Sequence, residues 1–174
     1  MIMVLKKFAA IKAVVLDVDG VLTDGRLLVT EAGEQLRSFF VKDGYAMQLA
    51  IKMGLDIWVI SGGNSEGVRK RLEGLGIQEI HLGVKNKMDV MTQLTEKHEL
   101  QMEDLMYVGD DMPDYEVMQV VGIAVCPSDA VEDIKTISHY MSPKKGGEGV
   151  VRDVLEKILK LKGRWGVHTE IKSV

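Results

Sequence analysis

Four short apolar runs punctuate this chain, each closed by a polar or glycine-rich break. Ile11 to Leu16, Asp56 to Ile60, Leu105 to Val108 and Gly122 to Val125 are apolar at nearly every position. That is how a strand buried on both faces reads. Between and after them, apolar residues recur every three or four positions. These stretches are Tyr45 to Met53, Ser65 to Leu75, Lys87 to His98, Tyr115 to Val121 and Gly149 to Leu161. Such spacing is the period of an amphipathic helix. Strands alternating with helices predict parallel βαβ units, and so an α/β fold: a Rossmann-like parallel sheet with helices on both faces.

Residues 23–41 interrupt that alternation. Arg26 to Thr30 and Gln35 to Val41 are strand-like and flank the turn sequence Glu31-Ala32-Gly33-Glu34. A β-hairpin is therefore expected to project from the sheet edge. It is too small to form a separate cap domain. No linker, repeat or low-complexity segment divides the chain, so 1–174 is expected to be one domain with a tail over 162–174.

Composition narrows the class. A chain of 174 residues can bury a real core. Lys and Arg number 22 against 26 Asp and Glu, a net charge of -4 that argues against nucleic acid or anionic membrane as partner. The single cysteine, Cys126, excludes an internal disulfide and suits a reducing cytoplasm. Met1-Ile2-Met3-Val4-Leu5-Lys6-Lys7 puts its charges after the apolar patch, the reverse of a signal peptide. No apolar run reaches the length of a membrane span. A cytoplasmic protein is expected.

The chemistry gathers where the apolar runs stop. Val14-Val15-Leu16 runs into Asp17-Val18-Asp19-Gly20, and Met106-Tyr107-Val108 into Gly109-Asp110-Asp111-Met112-Pro113-Asp114. In open α/β sheets the carboxyl edge is where ligands bind. Asp17 and Asp19, two apart, would point the same way in a continuing strand, and Gly20 would let the backbone approach a ligand. One carboxylate could attack phosphorus while the other moves a proton at the leaving oxygen, provided a cation screens the repulsion. Mg²⁺, with its preference for oxygen ligands, suits that task. Alone, Asp-Val-Asp-Gly would equally describe a solvated turn; the second acidic cluster favours the metal. Asp110 is the natural ligand, with Asp111 or Asp114 supporting it, although a helix opening at Pro113 would also favour acids at those two positions.

Two further segments end strands or open helices in useful chemistry. Ser61-Gly62-Gly63-Asn64 could hold phosphate oxygens through a hydroxyl and backbone N–H groups, or simply join strand to helix. Lys87 stands at a helix start, where the dipole disfavours a cation, so it either serves an anion or is a solvated surface lysine.

Together these residues resemble the haloacid dehalogenase superfamily, whose four motifs match in order Asp17-Val18-Asp19-Gly20-Val21, Ser61, Lys87 and Gly109 to Asp114. The resemblance implies Asp17 as nucleophile through a phosphoaspartyl intermediate and Asp19 as general acid/base. It implies Mg²⁺ on Asp17, the backbone carbonyl of Asp19 and Asp110, and a phosphoryl group held by Ser61, Gly62 and Lys87. The hairpin, Lys42-Asp43-Gly44-Tyr45, Cys126 to Ala130 and Gly146 to Arg152 resemble a branch acting on phosphorylated eight-carbon 3-deoxy-ulosonic acids for lipopolysaccharide synthesis. In that branch four hairpins assemble a homotetramer whose neighbouring subunit closes the site. Arg152 and the Gly146–Gly149 loop become candidates for substrate contact. Where many relatives carry Gly-Arg in the second motif, this chain has Gly62-Gly63-Asn64, so any contact from that arginine must come from elsewhere, with Arg69 and Arg71 as candidates. A nine-carbon sugar acid phosphate, a phosphotransferase reaction and a non-catalytic metal-binding scaffold are the alternatives.

Other conspicuous residues are assigned to packing or solvent. His81, His98, His139 and His168 lack metal-ligand spacing. Met47, Met53, Met88, Met91 and Met118 fall in helical patterns, and Lys157, Lys160, Lys162 and Arg164 form a solvated helix face.

Overall fold

The computed structural model describes residues 7–166 and 170–171. Parts of the expected tail, the opening Met1–Lys6 and His168 lie outside the described residues. The elements run β1 (Ala13–Leu16), β2 (Leu28–Val29), β3 (Gln35–Leu36), α1 (Val41–Lys52), β4 (Asp56–Ile60), α2 (Glu66–Gly74) and β5 (Glu79–His81). They continue with α3 (Lys87–Lys97), β6 (Leu105–Val108), α4 (Tyr115–Val120), β7 (Ile123–Cys126), α5 (Glu132–Ile137), β8 (Tyr140–Met141) and α6 (Val150–Leu161).

Six strands form one sheet in the order β5-β4-β1-β6-β7-β8, every neighbouring pair parallel. Strand β1 shows why its run is continuously apolar. Val14 and Leu16 enter one core with α1, α2 and α6, while Ala13 and Val15 enter the other with α3, α4 and α5. All four are fully buried, and each such Val or Leu side chain contributes about 1.5–3 kcal/mol. The methionines follow the helical reading: Met47, Met91 and Met118 are buried, and Met53 and Met88 pack against the cores. Among the described residues no helix is long and apolar enough to cross a membrane.

Several boundaries differ from the sequence reading. Strand β1 opens at Ala13 rather than Ile11, and helix α1 opens at Val41 rather than Tyr45. The hairpin is present, but its two strands are only two residues long, closed by Thr30 N–H on the Glu34 carbonyl. Strands β5 and β8 and helix α5 were not expected at all.

Register decides where the chemistry lands. Leu16 lies opposite Val59 on one side and Val108 on the other. The three central strands therefore finish together, and Asp17, Ser61 and Gly109-Asp110 emerge along one edge. The chain turns outward in opposite directions on the two sides of β1, so this edge is a topological switch point.

Candidate active site

The nucleophile loop is a turn, not a continued strand. Asp17 ends the extended backbone, and its Oδ1 accepts from Val18 N at 2.7 Å. Residues Val18–Leu22 then wind tightly, with Asp19 at φ -76°, ψ 118° and Gly20 at φ 88°. The side-chain directions of Asp17 and Asp19 are thus set by this turn, and the alternation argument from a strand does not apply. Asp17 faces the second acidic cluster, whereas Asp19 faces the hairpin.

Gly20 has to be glycine. Its φ is in the left-handed region, and a Cβ there would lie 1.9 Å from Oδ2 of Asp110. The loop is braced from behind by the segment before α6. A Cβ on Gly146 would meet the Gly20 carbonyl at 1.9 Å, and Gly147 N donates to the Val21 carbonyl at 3.0 Å. The glycine-rich segment expected at the substrate therefore packs directly beneath the loop that carries Asp17 and Asp19.

One carboxylate oxygen each from Asp17, Asp110 and Asp114 falls within a 4.8 Å cluster. The three are not equivalent. Asp114 is fully buried and both its oxygens are taken: Oδ1 accepts from Lys87 Nζ at 2.6 Å and Tyr107 OH at 2.7 Å, and Oδ2 from Asp110 N at 3.1 Å. It orients its neighbours. Asp110, by contrast, has a buried Oδ1 with no hydrogen-bond partner. Burial and then the charge of Asp114 push Asp17 up to about 7; burial and then the charge of Asp17 push Asp110 up to about 8. A cation between Asp17 and Asp110 would relieve both and give the orphaned oxygen a partner, so the residues present fit a hard divalent ion.

Lys87, the first residue of α3, points inward and is buried. Its Nζ lies 3.1 Å from Asp17 Oδ1 as well as 2.6 Å from Asp114. Burial works against the ammonium, but the two carboxylates outweigh it and raise its pKa above the usual lysine value. This is the anion-serving alternative, not a solvated lysine. Asn86 caps the helix by accepting from Met88 N and Asp89 N, leaving Lys87 free of that task. Ser61 is also buried; its Oγ accepts from Gly63 N at 3.2 Å, which fixes the Ser61-Gly62-Gly63 turn at the end of β4.

Two expected contributors stand elsewhere. Asp111 is exposed and caps Met112 N at 2.7 Å, so it reaches Asp110 by charge alone while Asp114 gives the direct support. Arg152 is already engaged. Its Nε donates to Glu156 at 2.8 Å, and its guanidinium lies between Tyr45 (5.3 Å) and Trp165 (4.5 Å). Backbone N of Arg152 also donates to the buried Asp43. These contacts clamp α1, α6 and the segment after it outside the carboxylate cluster, and Arg152 remains a candidate for substrate contact at the groove it lines with Phe40 and Lys42.

The arginines named to replace the one missing from the second motif are likewise committed. Arg69 donates to the Ile80 carbonyl at 3.5 Å, and Arg71 packs over Gly44. The arginine that reaches the site is Arg37, from the hairpin. Its Nε and Nη2 donate to Oδ1 and Oδ2 of Asp19 at 2.7 and 3.1 Å. No sequence signal marked it, because the partners are 18 residues apart on either side of a turn. His81 and His98 both meet Glu79, and His139 Nδ1 accepts from Ala124 N, which accounts for three histidines without a metal.

The chain is similar to known proteins over most of its length. A family model for haloacid dehalogenase-like hydrolases matches residues 73–154. The 3-deoxy-D-manno-octulosonate 8-phosphate phosphatase KdsC of Escherichia coli strain K12 is 35% identical over 161 residues, covering 92% of this chain and 86% of that protein. The solved Yersinia pestis phosphatase of the same name matches at 34% identity and TM-score 0.90, over 92% of this chain and 87% of its own. A Moraxella catarrhalis phosphatase of that name, solved with magnesium, phosphate and KDO, matches at 32% identity and TM-score 0.91, over 94% of each chain.

Proposed function

We propose that this chain, which belongs to the haloacid dehalogenase-like hydrolases, hydrolyses 3-deoxy-D-manno-octulosonate 8-phosphate with Mg²⁺, as the names of its relatives suggest. The observation that carries this reading is the convergence of Asp17, Asp110 and Lys87 at the switch point, with Lys87 3.1 Å from Asp17.

Asp17, Asp110 and the backbone carbonyl of Asp19 would hold the ion. When bound there it supplies the positive charge that lets a carboxylate approach a phosphate dianion. Lys87 and the Ser61-Gly62 turn hold the phosphoryl oxygens. A carboxylate oxygen of Asp17 forms the bond to phosphorus, and the bond from phosphorus to the sugar oxygen breaks. Asp19 gives its proton to that oxygen, so the free sugar acid leaves. Asp19 then takes a proton from the water that cleaves the phosphoaspartate, releasing phosphate and restoring Asp17. Asp114 keeps Lys87, Tyr107 and the Asp110 backbone in place throughout.

The protein works as a homo-oligomer, a tetramer by its resemblance, assembled through the hairpin. Leu27, Leu28, Val29 and Leu36 are all exposed there, and a groove of about 400 Å³ lies between Leu27, Leu28, Leu36 and Arg37. A reducing cytoplasm suits its lone buried thiol, Cys126.

Phosphate release with Mg²⁺ present tests the assignment, using matched eight- and nine-carbon 3-deoxy-ulosonic acid phosphates and a hexose phosphate. Preference for the eight-carbon ester, lost with EDTA and in Asp17→Asn, is the expected result. A nine-carbon preference would keep the mechanism and replace the substrate, an outcome Gly63 in the second motif leaves open. Phosphate passed to an acceptor sugar would make it a phosphotransferase, and no release at all would leave a metal-binding scaffold.

A further inference from the structure

Asp19 has a partner that the reaction outlined above does not use. The Arg37 guanidinium takes both carboxylate oxygens of Asp19, at 2.7 and 3.1 Å, and its Nη1 donates back to the Gln35 carbonyl at 3.2 Å. The fork is therefore tied at one end to the hairpin strand and at the other to Asp19. The Arg37 side chain is 6% exposed, but that of Asp19 is still 34% exposed. Arg37 is thus sequestered while part of the Asp19 carboxylate stays exposed. Thr23 adds a weaker hold from the side, with Oγ1 3.4 Å from Asp19 Oδ1.

The space for this arrangement is made by Gly63. A Cβ at that position would lie 3.2 Å from Arg37 Nη2, 3.2 Å from Asp19 Oδ2 and 3.6 Å from Ser61 Oγ. Those contacts to nitrogen and carboxylate oxygen are tight, so any side chain at 63 would press on the ion pair. Three segments distant in sequence meet at one point: the nucleophile loop, the hairpin and the turn after β4.

We propose that Arg37 is the positioning residue of the general acid/base, holding the Asp19 carboxylate by two-point contact in line with the leaving oxygen. The planar guanidinium fixes both the location and the plane of a carboxylate, which an ammonium does not. Proton transfer to a leaving group falls off steeply with misplacement. Because Arg37 is on the hairpin, the position of that hairpin is transmitted to the proton donor. The proposal rests on the reading of Asp19 as acid/base given above.

Leaving-group dependence tests it. A sugar alkoxide is a poor leaving group and needs the proton from Asp19; p-nitrophenolate leaves without one. Values of kcat/KM for 3-deoxy-D-manno-octulosonate 8-phosphate and p-nitrophenyl phosphate report the steps up to departure of each leaving group. In Arg37→Ala the ratio of the first to the second should fall by about tenfold or more, within the range that general-acid assistance supplies. Arg37→Lys, which retains the charge without the fork, should recover the ratio only in part, and it carries the same comparison should Arg37→Ala not fold. A parallel fall on both esters would assign Arg37 a merely structural role and overturn the proposal. An unchanged ratio, or complete recovery with lysine, would overturn it as well. Wild-type turnover of the sugar phosphate tests the underlying reading separately.

Discussion

Gly20 and Asp110 touch across the switch point of the sheet, so closely that a Cβ on Gly20 would fall 1.9 Å from Asp110 Oδ2. The two residues follow different strands and belong to the two acidic clusters, and their close approach leaves no room for a side chain at position 20. Gly20→Ala must therefore either displace the Asp110 carboxylate or unwind the turn. The left-handed φ of 88° adds about 1–2 kcal/mol for any residue with a Cβ. We expect a loss of phosphatase activity of about a hundredfold, the effect of misplacing a reacting group by an ångström. Mg²⁺ should also raise the melting temperature less than it does in the wild type. Near-normal activity and metal stabilisation would show that the site tolerates a side chain at position 20.

Asp114 is the hub beneath the site, and its removal should cost more than the loss of any single spoke. Asp114→Ala leaves the buried Lys87 with one acceptor instead of two and the Tyr107 hydroxyl with none. Lys87 stays paired with Asp17, so the cost is that of the lost buried hydrogen bonds to a charged acceptor, about 1.5–3 kcal/mol each. Tyr107→Phe removes a single one of these bonds and should cost about 1.5–3 kcal/mol. Urea denaturation of both variants decides the matter, and equal costs would refute the central position of Asp114.

Asp43 gives the fold a pH dependence of defined sign. It is 1% exposed, its Oδ2 has no hydrogen-bond partner, and burial raises it to about 7 against only partial relief from Arg152. The unfolded chain ionises this group near its ordinary value of 3.8, while the folded chain keeps the proton until about 7. Between those values the folded state binds more protons, so its stability falls as pH rises and levels off above about 7. The full shift corresponds to about 4 kcal/mol. With Mg²⁺ present, urea melts at about pH 5 and about pH 8 should differ less in Asp43→Asn than in the wild type. Identical pH dependence in the two proteins would show that Asp43 is ionised in the fold at both values.

The strands that carry chemistry were the legible ones, for a reason the burial explains. Strands β1, β4, β6 and β7 are covered on both faces, so their sequences are almost purely apolar and end where the carboxyl edge meets solvent. Strand β5, Glu79–His81, sits at the sheet edge and β8 is two residues long; neither has room for an apolar run. Lys87 was readable because a cation at a helix start contradicts the dipole, and burial against two carboxylates resolves the contradiction. Asp111 and Asp114 were not separable, since the short turn at Met112–Asp114 decides which one faces inward. Arg37 left no trace in the pattern. Its role depends on the hairpin folding back over the nucleophile loop, a through-space relation that local periodicity does not encode.

In the proposed oligomer that hairpin would also join assembly to catalysis. An isolated two-stranded hairpin is marginally stable in water, yet this one exposes Leu28 at 68%, Val29 at 61% and Leu36 at 47%. Aliphatic side chains concentrated on so small an element call for a covering surface, which in the proposed oligomer a second copy of the chain would supply. If the proposed oligomer forms through these residues, Leu28→Glu should give monomers in light scattering where the wild type gives a larger species. Because Arg37 follows β3 directly and holds Asp19, dissociation should loosen the acid/base as well. We expect sugar phosphate turnover to fall about tenfold or more, with hydrolysis of p-nitrophenyl phosphate affected less. Monomeric wild-type protein would remove the basis for assembly through the hairpin. A dissociated variant that keeps full activity would show instead that Arg37 holds Asp19 without help from a neighbouring subunit.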